Sequence, residues 1–398
     1  MLIAGEASGD LLAAELVAAL REQSAILHPP STPVFFGAGG VKMAAAGVEL
    51  AFDMTQHAVI GITDVLKNIL KFRRLFNELV ALAIERKPDV IIGVDYGGFN
   101  LRFGHAIKEY TRDNPFSQWN PKIVQFVSPQ VWASRPGRAN RLAADYDLLL
   151  SIFPFEKDWY AQRVPQLRVE FVGHPMIGRF ASELECGGAS PLLSARHVAQ
   201  FQSADTSAHS KILLLPGSRK SELKKHLEPM LGALRFIQAK FPHVRPTMVL
   251  PNPALKEFVD KLPALPVNLK IQIGELPWAL SESDVAIAST GTVTMECAFF
   301  GVPTVTLYKT SWLTYQIARR IVTVKSLTMP NLLAGEEVYP EFIQKAATPE
   351  NISAAALDLL KNESRRAKIK SQLEHIIASL GEPGAPKRAA AAILGLFP

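Results

Sequence analysis

The chain has 398 residues, 48% hydrophobic and 20% charged, with a formal net charge of +6. This length exceeds one ordinary hydrophobic core, so we expect two domains, and the hydrophobic content excludes a disordered protein. The scattered basic residues favour phosphorylated or lipid partners over nucleic acid. The two cysteines lie far apart without metal-ligand spacing, which excludes a disulfide framework and a zinc site and favours a reducing cytoplasm.

The first half of the chain alternates short apolar runs with helical patterns, which is typical of a doubly wound parallel sheet. The chain opens directly on a strand, without the basic and apolar regions of a signal peptide. No run reaches the ~18 apolar residues of a membrane-spanning helix, so we expect a soluble or peripheral protein. The predicted strands are residues 2–4, 34–36, 90–94, 123–127, 148–152 and 169–172.

The second half repeats this alternation after a segment at 181–210 that is rich in Ser, Ala and Gly and is interpreted as a connection with a surface excursion. The predicted fold class is α/β, with two Rossmann-like doubly wound parallel-sheet domains facing a cleft. We predict an N-terminal domain at 1–178 and a C-terminal domain at 179–375, with helices at about 376–398 that pack back on the first domain or on another subunit. The predicted strands are residues 212–215, 247–250, 269–273, 285–288 and 304–307.

The loop Gly5–Asp10 follows the first predicted strand and precedes a helix that we expect to start near residue 11. Its glycines allow a close backbone approach at a helix N-terminus, although the spacing is not that of a dinucleotide fingerprint. Glu6 is a candidate catalytic residue facing the cleft, and Ser8 and Gly9 are candidates for substrate binding. The alternative is an ordinary turn capped by Ser8 or Asp10.

A carboxylate, Asp95, follows the apolar run 90–94 and is itself followed by Tyr96, Gly97 and Gly98. A carboxylate at the carboxyl end of a strand is well placed to act as a general base toward a substrate hydroxyl. Many such aspartates merely cap the next helix, and spacing alone does not favour the general base over the helix cap.

Two loops in the second half have the composition of a nucleotide site. Pro216–Arg219 ends a buried strand and opens a helix, where backbone N–H groups and a bidentate arginine favour a phosphate. Ser289–Glu296 follows another buried strand and offers hydroxyl donors to a diphosphate and a carboxylate to ribose. Either loop alone could be an ordinary capped turn. The candidate nucleotide-binding residues are Gly217, Ser218, Arg219, Ser289, Gly291, Thr292 and Glu296.

The sequence Asp145-Tyr-Asp147 superficially matches a DxD metal motif. It precedes a strand, at the end remote from the expected cleft, so a structural role is favoured. We therefore predict no essential metal and no cofactor.

A helical pattern at 62–84 carries apolar residues on one stripe and charged residues on the opposite one. A core-packed amphipathic helix is the favoured interpretation. Basic residues beside bulky apolar ones also suit a membrane surface, with Ile69, Phe72, Arg73 and Phe76 as membrane-facing candidates. The stretch 311–315 with two following arginines is a second candidate lipid-facing edge.

Six motifs, in order along residues 2–344, together resemble the lipid-A-disaccharide synthase family. The resemblance implies an inverting glycosyltransferase of the two-Rossmann GT-B architecture. It implies transfer of 2,3-diacylglucosamine from UDP-2,3-diacylglucosamine to 2,3-diacylglucosamine 1-phosphate, giving a β-1,6-linked disaccharide and UDP. The motifs are Gly5–Asp10, Val127–Ala133, Phe153–Glu156, Leu215–Arg219, Ser289–Glu296 and Pro330–Ala334.

The resemblance also implies roles for individual residues. The family's essential aspartate and arginine fall on Asp95 and Arg219, and its two glutamates fall on Glu6 and Glu296. Its asparagine falls on Asn331, a candidate for substrate binding. The implied partners are the two acylated substrates, the cytoplasmic face of the inner membrane and, as an option, a second copy in a homodimer.

Two other functions fit the same two-domain plan. A UDP-sugar 2-epimerase would need no acceptor and would act on UDP-N-acetylglucosamine alone. A bilobed binding protein would close on an anionic ligand without chemistry, but the secretion signal usual for that class is missing from this sequence.

Overall fold

The structure is a computed structural model that describes residues 1–27, 33–54, 62–186 and 210–397. The side chains of residues 62–71 and 182–186 lie outside that description, and so does most of the predicted excursion at 181–210. The chain divides into two compact units. The first comprises Met1–Gly178 and Leu380–Pro398, and the second comprises Arg179–Ser379.

The described strands of the first unit form a seven-stranded parallel sheet in the order β3-β2-β1-β4-β5-β6-β7. Its central strands are buried along nearly their whole length, which explains why their sequences are continuous apolar runs rather than alternating ones. The strands are β1 (Leu2–Ala4), β2 (Phe36–Gly39), β3 (Glu49–Asp53), β4 (Val90–Val94), β5 (Lys122–Phe126), β6 (Leu148–Ser151) and β7 (Val169–Phe171).

Helices connect these strands. They are α1 (Ala7–Leu27), α2 (Val41–Ala45), α3 (Ile62–Arg86), α4 (Gly97–Asp113), α5 (Val131–Ser134), α6 (Arg138–Asp145), α7 (Pro154–Ala161) and α8 (Pro175–Cys186), with a 3₁₀ turn at Pro115–Ser117. Helix α1 begins at Ala7, four residues before the predicted start at residue 11. Ser8 and Gly9 therefore belong to its first turn.

The described strands of the second unit form a six-stranded parallel sheet in the order β10-β9-β8-β11-β12-β13. The strands are β8 (Lys211–Leu215), β9 (Arg245–Leu250), β10 (Lys270–Ile273), β11 (Val285–Ser289), β12 (Thr304–Tyr308) and β13 (Glu341–Ile343). The helices are α9 (Lys220–Lys240), α10 (Pro253–Asp260), α11 (Leu276–Ser281), α12 (Val293–Phe299), α13 (Trp312–Ile321), α14 (Met329–Ala334), α15 (Pro349–Lys361) and α16 (Glu363–Ser379), with a 3₁₀ turn at Gln344–Ala346.

The last helix, α17 (Ala385–Leu394), belongs to the first unit and packs against α1. The Lys387 ammonium lies 2.9 Å from a Glu22 carboxylate oxygen, and the Gln23 side-chain amide donates to the Lys387 carbonyl over 2.8 Å. The chain thus crosses to the second unit and returns, so both chain ends lie in the first unit.

Two strands, β3 and β13, were missing from the sequence prediction. Both lie at the edge of a sheet, and none of their residues is fully buried: two positions of β3 are exposed and the others are partly buried. An edge strand does not need the continuous apolar run that marks a central parallel strand. The two-sheet α/β prediction is confirmed, because it rests on the central strands.

Candidate active site

In both sheets, loops that carry predicted site residues follow the two strands between which the strand order reverses. In the first sheet the strand order reverses between β1 and β4, where Ala4 pairs with Val94, so Gly5 and Asp95 follow neighbouring strands. In the second sheet the order reverses between β8 and β11, and Leu215 pairs with Ala288. Doubly wound sheets bind ligands at such reversal points, outside the carboxyl ends of the strands.

Asp95 occupies a sharp turn between β4 and α4. Its backbone φ is 50° and that of Tyr96 is 45°, so two successive residues with side chains adopt the left-handed conformation. Each such residue costs roughly 1–2 kcal/mol. Burial raises the pKa of the Asp95 carboxyl above its ordinary value, and a hydrogen bond from the Tyr96 backbone N–H partly offsets that rise. A half-buried carboxylate with a raised pKa is a stronger base than an exposed one.

Gly5 is required by the close approach of the Tyr96 ring, because a Cβ at Gly5 would lie 2.3 Å from a ring carbon. Burial raises the pKa of the Tyr96 phenol, and the negative charge of Glu6 raises it further, so Glu6 lies near this ring. A Cβ at Gly9 would lie 3.6 Å from the Asp95 Cβ. The structure therefore brings Glu6, Gly9 and Asp95 together at the reversal point of the first sheet.

The alternative in which Asp10 caps its own turn is wrong. The Asp10 carboxylate is buried and accepts hydrogen bonds from the backbone N–H groups of Gly40, Lys42 and Met43, over 2.8, 2.9 and 3.1 Å. It caps helix α2 instead. Ser8 is exposed in the first turn of α1.

Beside the aspartate turn, two of the motifs share a buried polar network. The Trp132 indole N–H donates to Glu156 over 2.9 Å, and the Phe153 backbone N–H donates to the same carboxyl over 3.3 Å. The Ser128 hydroxyl and the Tyr160 phenol lie 3.1 Å apart in the same network. Burial raises the pKa of Glu156 to about 7. The network fixes the loops after β5 and β6, next to the strand that carries Asp95.

In the second unit, Pro216–Arg219 forms the turn between β8 and α9. Ser218 and Arg219 are exposed, and Gly217 has a φ of 125° that other residues rarely adopt. Glu222 accepts from the backbone N–H groups of Ser218 and Arg219, over 2.9 and 3.3 Å. These N–H groups, which we predicted to face a phosphate, are therefore bonded to Glu222. The side chains of Ser218 and Arg219 lie at the surface of the turn.

His226, which was not among the predicted site residues, joins this turn to the residue that follows β12. Its Nδ1 lies 2.9 Å from the Pro216 carbonyl, and its Nε2 accepts from the Lys309 backbone N–H over 3.1 Å. Burial lowers the pKa of the imidazole, in keeping with a neutral ring that donates at Nδ1. A histidine on the apolar face of a predicted helix is a weak signal, because core histidines are common.

The loop Ser289–Glu296 leaves β11 beside the Pro216–Arg219 turn. Ser289 is buried at the end of the strand, whereas Gly291 and Thr292 are exposed. The Thr294 hydroxyl donates to the Gly291 carbonyl over 2.7 Å and shapes the turn into α12. Glu296 is partly buried one helical turn further on. Both candidate UDP-binding loops thus meet at one edge of the second sheet.

Asn331, predicted as a substrate-binding residue, has a structural role instead. Its side chain is 2% exposed, and its oxygen accepts from the backbone N–H groups of Val338 and Tyr339 over 2.9 and 2.8 Å. Its amide nitrogen donates to the Tyr339 carbonyl and to Glu341, over 2.8 and 2.9 Å. Every strong hydrogen-bonding position of the amide is used inside the protein, so Asn331 holds the loop together and does not present a group to substrate.

For Phe76, one of the membrane-facing candidates on helix α3, the structure supports the core-packed interpretation. The Phe76 ring packs edge-on against Phe99 and Phe103, with ring centroids 5.4 and 6.0 Å apart, so the expectation that Phe76 faces a membrane is wrong. Phe72 is partly buried and Arg73 is exposed. The side chain of Ile69 lies outside the described residues.

The Asp145-Tyr-Asp147 segment is structural, as predicted. Asp145 is buried 2.9 Å from His105 Nδ1, and Asp147 accepts from the Ile123 backbone N–H and the Lys108 ammonium, over 2.8 and 3.2 Å. These bonds join α4 and the strands at the amino end of the sheet, away from Asp95. They account for both aspartates without a ligand.

The family model described as lipid-A-disaccharide synthetase matches residues 1–394 of this chain. The chain is similar to the lipid-A-disaccharide synthase of Trichlorobacter lovleyi, with 35% identity over 403 residues, covering 100% of this chain and 97% of that one. It is similar to the enzyme of the same name from Myxococcus xanthus, with 34% identity over 399 residues and the same coverage.

Solved structures share the fold at low sequence identity. A structure of S. aureus MnaA with UDP matches with a TM-score of 0.60 and 14% identity, covering 100% of this chain and 96% of that one. The glycotransferase of kitacinnamycin matches with a TM-score of 0.55 and 16% identity, covering 100% of this chain and 98% of that one. At such identities the likeness supports the two-sheet architecture, known as GT-B, and nothing finer.

Proposed function

The chain belongs to the lipid-A-disaccharide synthetase family, and we propose that it transfers 2,3-diacylglucosamine from UDP-2,3-diacylglucosamine to 2,3-diacylglucosamine 1-phosphate, with inversion and release of UDP. The observation that carries this proposal is the match of the family across residues 1–394. A UDP-sugar 2-epimerase has support at the level of the fold alone, because the UDP-N-acetylglucosamine 2-epimerase structures that share this fold are 14–16% identical to this chain.

In the proposed mechanism, Asp95 is the general base. Its carboxylate takes the proton of the acceptor's 6-hydroxyl while that oxygen forms a bond to the anomeric carbon of the UDP-sugar. The bond from this carbon to the UDP oxygen breaks in the same displacement, which inverts the configuration. Burial of the carboxyl supports this role, because its raised pKa increases its affinity for the proton.

The departing UDP gains negative charge, and the proposed partner of that charge is Arg219. Its guanidinium is exposed at the N-terminus of the 21-residue helix α9, whose dipole also favours an anion. The exposed Ser218 and Thr292 hydroxyls are further donors, and Glu296 is proposed to accept from the ribose hydroxyls. Glu6, close to Tyr96, is proposed to assist on the acceptor side. Preorganised charges of this kind are commonly the largest contribution to catalysis.

We further propose that the protein attaches peripherally to the cytoplasmic face of the inner membrane, because both substrates carry acyl chains. None of the helices within the described ranges is long and apolar enough to span a bilayer. Helix α13 supports attachment at a surface. Its Trp312, Leu313 and Ile317 side chains are 73%, 64% and 51% exposed, and the helix ends in Arg319 and Arg320 without an acidic residue. Exposed apolar and basic groups on one helix suit an anionic lipid surface.

The direct test is to incubate the purified protein with both acylated substrates and to detect UDP and the disaccharide by mass spectrometry. We expect equimolar UDP and disaccharide. Conversion of UDP-N-acetylglucosamine in the absence of an acceptor would support the epimerase instead. Absence of turnover in both assays would contradict both functions.

A further inference from the structure

Two buried side-chain amides converge on the backbone of Asp95. Asn100 Nδ2 and Gln125 Nε2 each donate to the Asp95 carbonyl oxygen over 2.8 Å. Asn100 is 2% exposed on α4, and Gln125 is fully buried on β5. We call this pair the amide clamp. The clamp joins the turn after β4 to the neighbouring strand and to the following helix.

The clamp acts where the chain departs from strand geometry. The Asp95 backbone N–H still donates to the Phe126 carbonyl over 2.8 Å, so the residue begins as part of the ladder between β4 and β5. Its φ of 50° then takes the backbone out of the strand conformation. The two amides bond to the carbonyl of the residue in this conformation, which also fixes where the carboxylate points.

The other ends of the two amides are unsatisfied. Asn100 Oδ1 and Gln125 Oε1 are buried without a hydrogen-bond partner among the described residues. An unpaired buried acceptor is unfavourable, and an apolar side chain of the same shape would avoid it. Both donors also reach other backbone carbonyls, Gln125 Nε2 that of Val127 over 3.2 Å and Asn100 Nδ2 that of Ile3 over 3.5 Å, but the bonds to Asp95 are the shortest. A role in packing alone therefore does not account for amides at these two positions, whereas the need for two donors does.

Both side chains pack over Gly93, one residue before the end of β4. A Cβ at Gly93 would lie 2.6 Å from Gln125 Oε1 and 2.9 Å from the Asn100 Cβ. The clamp thus has a space of its own in the sheet, formed by the missing side chain of Gly93.

We propose that Asn100 and Gln125 are positioning residues for catalysis: they hold Asp95 in its left-handed conformation and so aim its carboxylate at the acceptor hydroxyl. The proposal rests on the proposed role of Asp95 as the base. It adds that catalysis depends on two groups that touch neither substrate nor reacting atoms.

The test uses Gln125→Met and Asn100→Leu, which keep the approximate volume and remove the donors, each alone and combined with Asp95→Asn. A misplaced base loses turnover but not substrate binding, so we expect kcat to fall by about ten- to a hundred-fold while KM for the UDP-sugar stays within about two-fold. In the Asp95→Asn background we expect no further fall in kcat, because the base is already absent. The acid limb of kcat against pH should also move in the single variants.

Ser151→Ala is the matched control, since Ser151 is a buried residue of β6 whose hydroxyl is also unpaired within the described residues. It should leave kcat unchanged. If a clamp variant does not fold, Gly93→Ala tests the same point by displacing both amides without removing them, and it should also lower kcat.

Three outcomes would overturn the proposal: unchanged kcat in folded clamp variants, an equal loss of kcat in the Asp95→Asn background, or an equal loss in Ser151→Ala. If Asp95→Asn itself keeps full turnover, the role of Asp95 fails. In that case a fall of kcat in the clamp variants alone would show that the amides act through another group.

Discussion

Trp132 donates its indole N–H to the Glu156 carboxyl over 2.9 Å inside the first unit, where Glu156 is fully buried. The two residues come from separate motifs, in helix α5 after β5 and in helix α7 after β6. This bond therefore explains why a tryptophan and a glutamate 24 positions apart belong to one structural unit.

The buried glutamate makes the free energy of unfolding depend on pH. Burial raises its pKa from 4.5 to about 7, so the folded protein holds the proton more tightly than the unfolded chain does. The stability contributed by the protonated form is complete below about pH 4.5 and is lost as pH rises through 7, by about 3 kcal/mol in all. Glu156→Gln should remove this dependence in urea unfolding at pH 5 and pH 8. The exposed Asp158→Asn on the same helix should keep it, and an identical pH dependence in Glu156→Gln would contradict the assignment.

Affinity for UDP should depend on the shape of the Arg219 side chain as well as on its charge. Arg219→Lys loses the planar fork that binds a diphosphate in two places, so we expect the Kd for UDP to rise about ten-fold or more. Isothermal titration with UDP measures this. The neighbouring Lys220, also exposed, provides the control: Lys220→Ala should bind UDP within about three-fold of the wild type. Equal affinities for Arg219→Lys and the wild type would remove Arg219 from the site.

Asn331 should behave as a structural residue. Asn331→Ala leaves the buried N–H groups of Val338 and Tyr339 without an acceptor, which should lower the free energy of unfolding by about 2–5 kcal/mol. KM for either substrate should not change in the folded fraction. The exposed Asn351→Ala, at the start of α15, should cost less than about 1 kcal/mol. A stable Asn331→Ala protein with a raised KM would restore the substrate-binding role.

The exposed apolar side chains of α13 should contribute to membrane binding. Replacing Trp312 and Leu313 by serine removes two side chains worth roughly 1.5–3 kcal/mol each on burial, so affinity for anionic phospholipid vesicles should fall more than ten-fold. Thermal stability should not change, because both side chains are exposed. Phe116, 97% exposed in the first unit, gives the control Phe116→Ser, which should bind vesicles like the wild type. Unchanged vesicle binding by the double variant would exclude α13 from the contact.

The sequence predicted the parts of the fold that depend on burial. Strands β4 and β8 are continuous apolar runs because both their faces are covered, and the loops after them could be located from that pattern. The apolar stretches of the edge strands β3 and β13 are short and adjoin acidic residues, so these strands lack such a run. The early start of α1 at Ala7 is not marked by an apolar pattern either.

The partners of the site residues were harder to predict, because they depend on how each loop closes on itself. The sequence pattern does not show that the Asn331 amide is consumed by the backbone at 338–339. Glu222, by contrast, follows the N–H groups that it accepts from by three and four residues, which is the spacing of a local helix cap. One signal was present. Gln125 is the one polar residue within the apolar run 123–127, and a buried polar group inside a strand needs a hydrogen-bonding partner.

The most direct test of the proposed mechanism compares Asp95→Asn with the wild type, using both acylated substrates and measuring turnover together with UDP affinity. Asparagine has a similar shape but cannot accept the proton. We predict a fall in kcat of about 10²–10⁴-fold with unchanged affinity for UDP, and a rise in the free energy of unfolding, because an unfavourably buried charge is removed. A folded Asp95→Asn protein that binds UDP and turns over at the wild-type rate would contradict the assignment of Asp95 as the base.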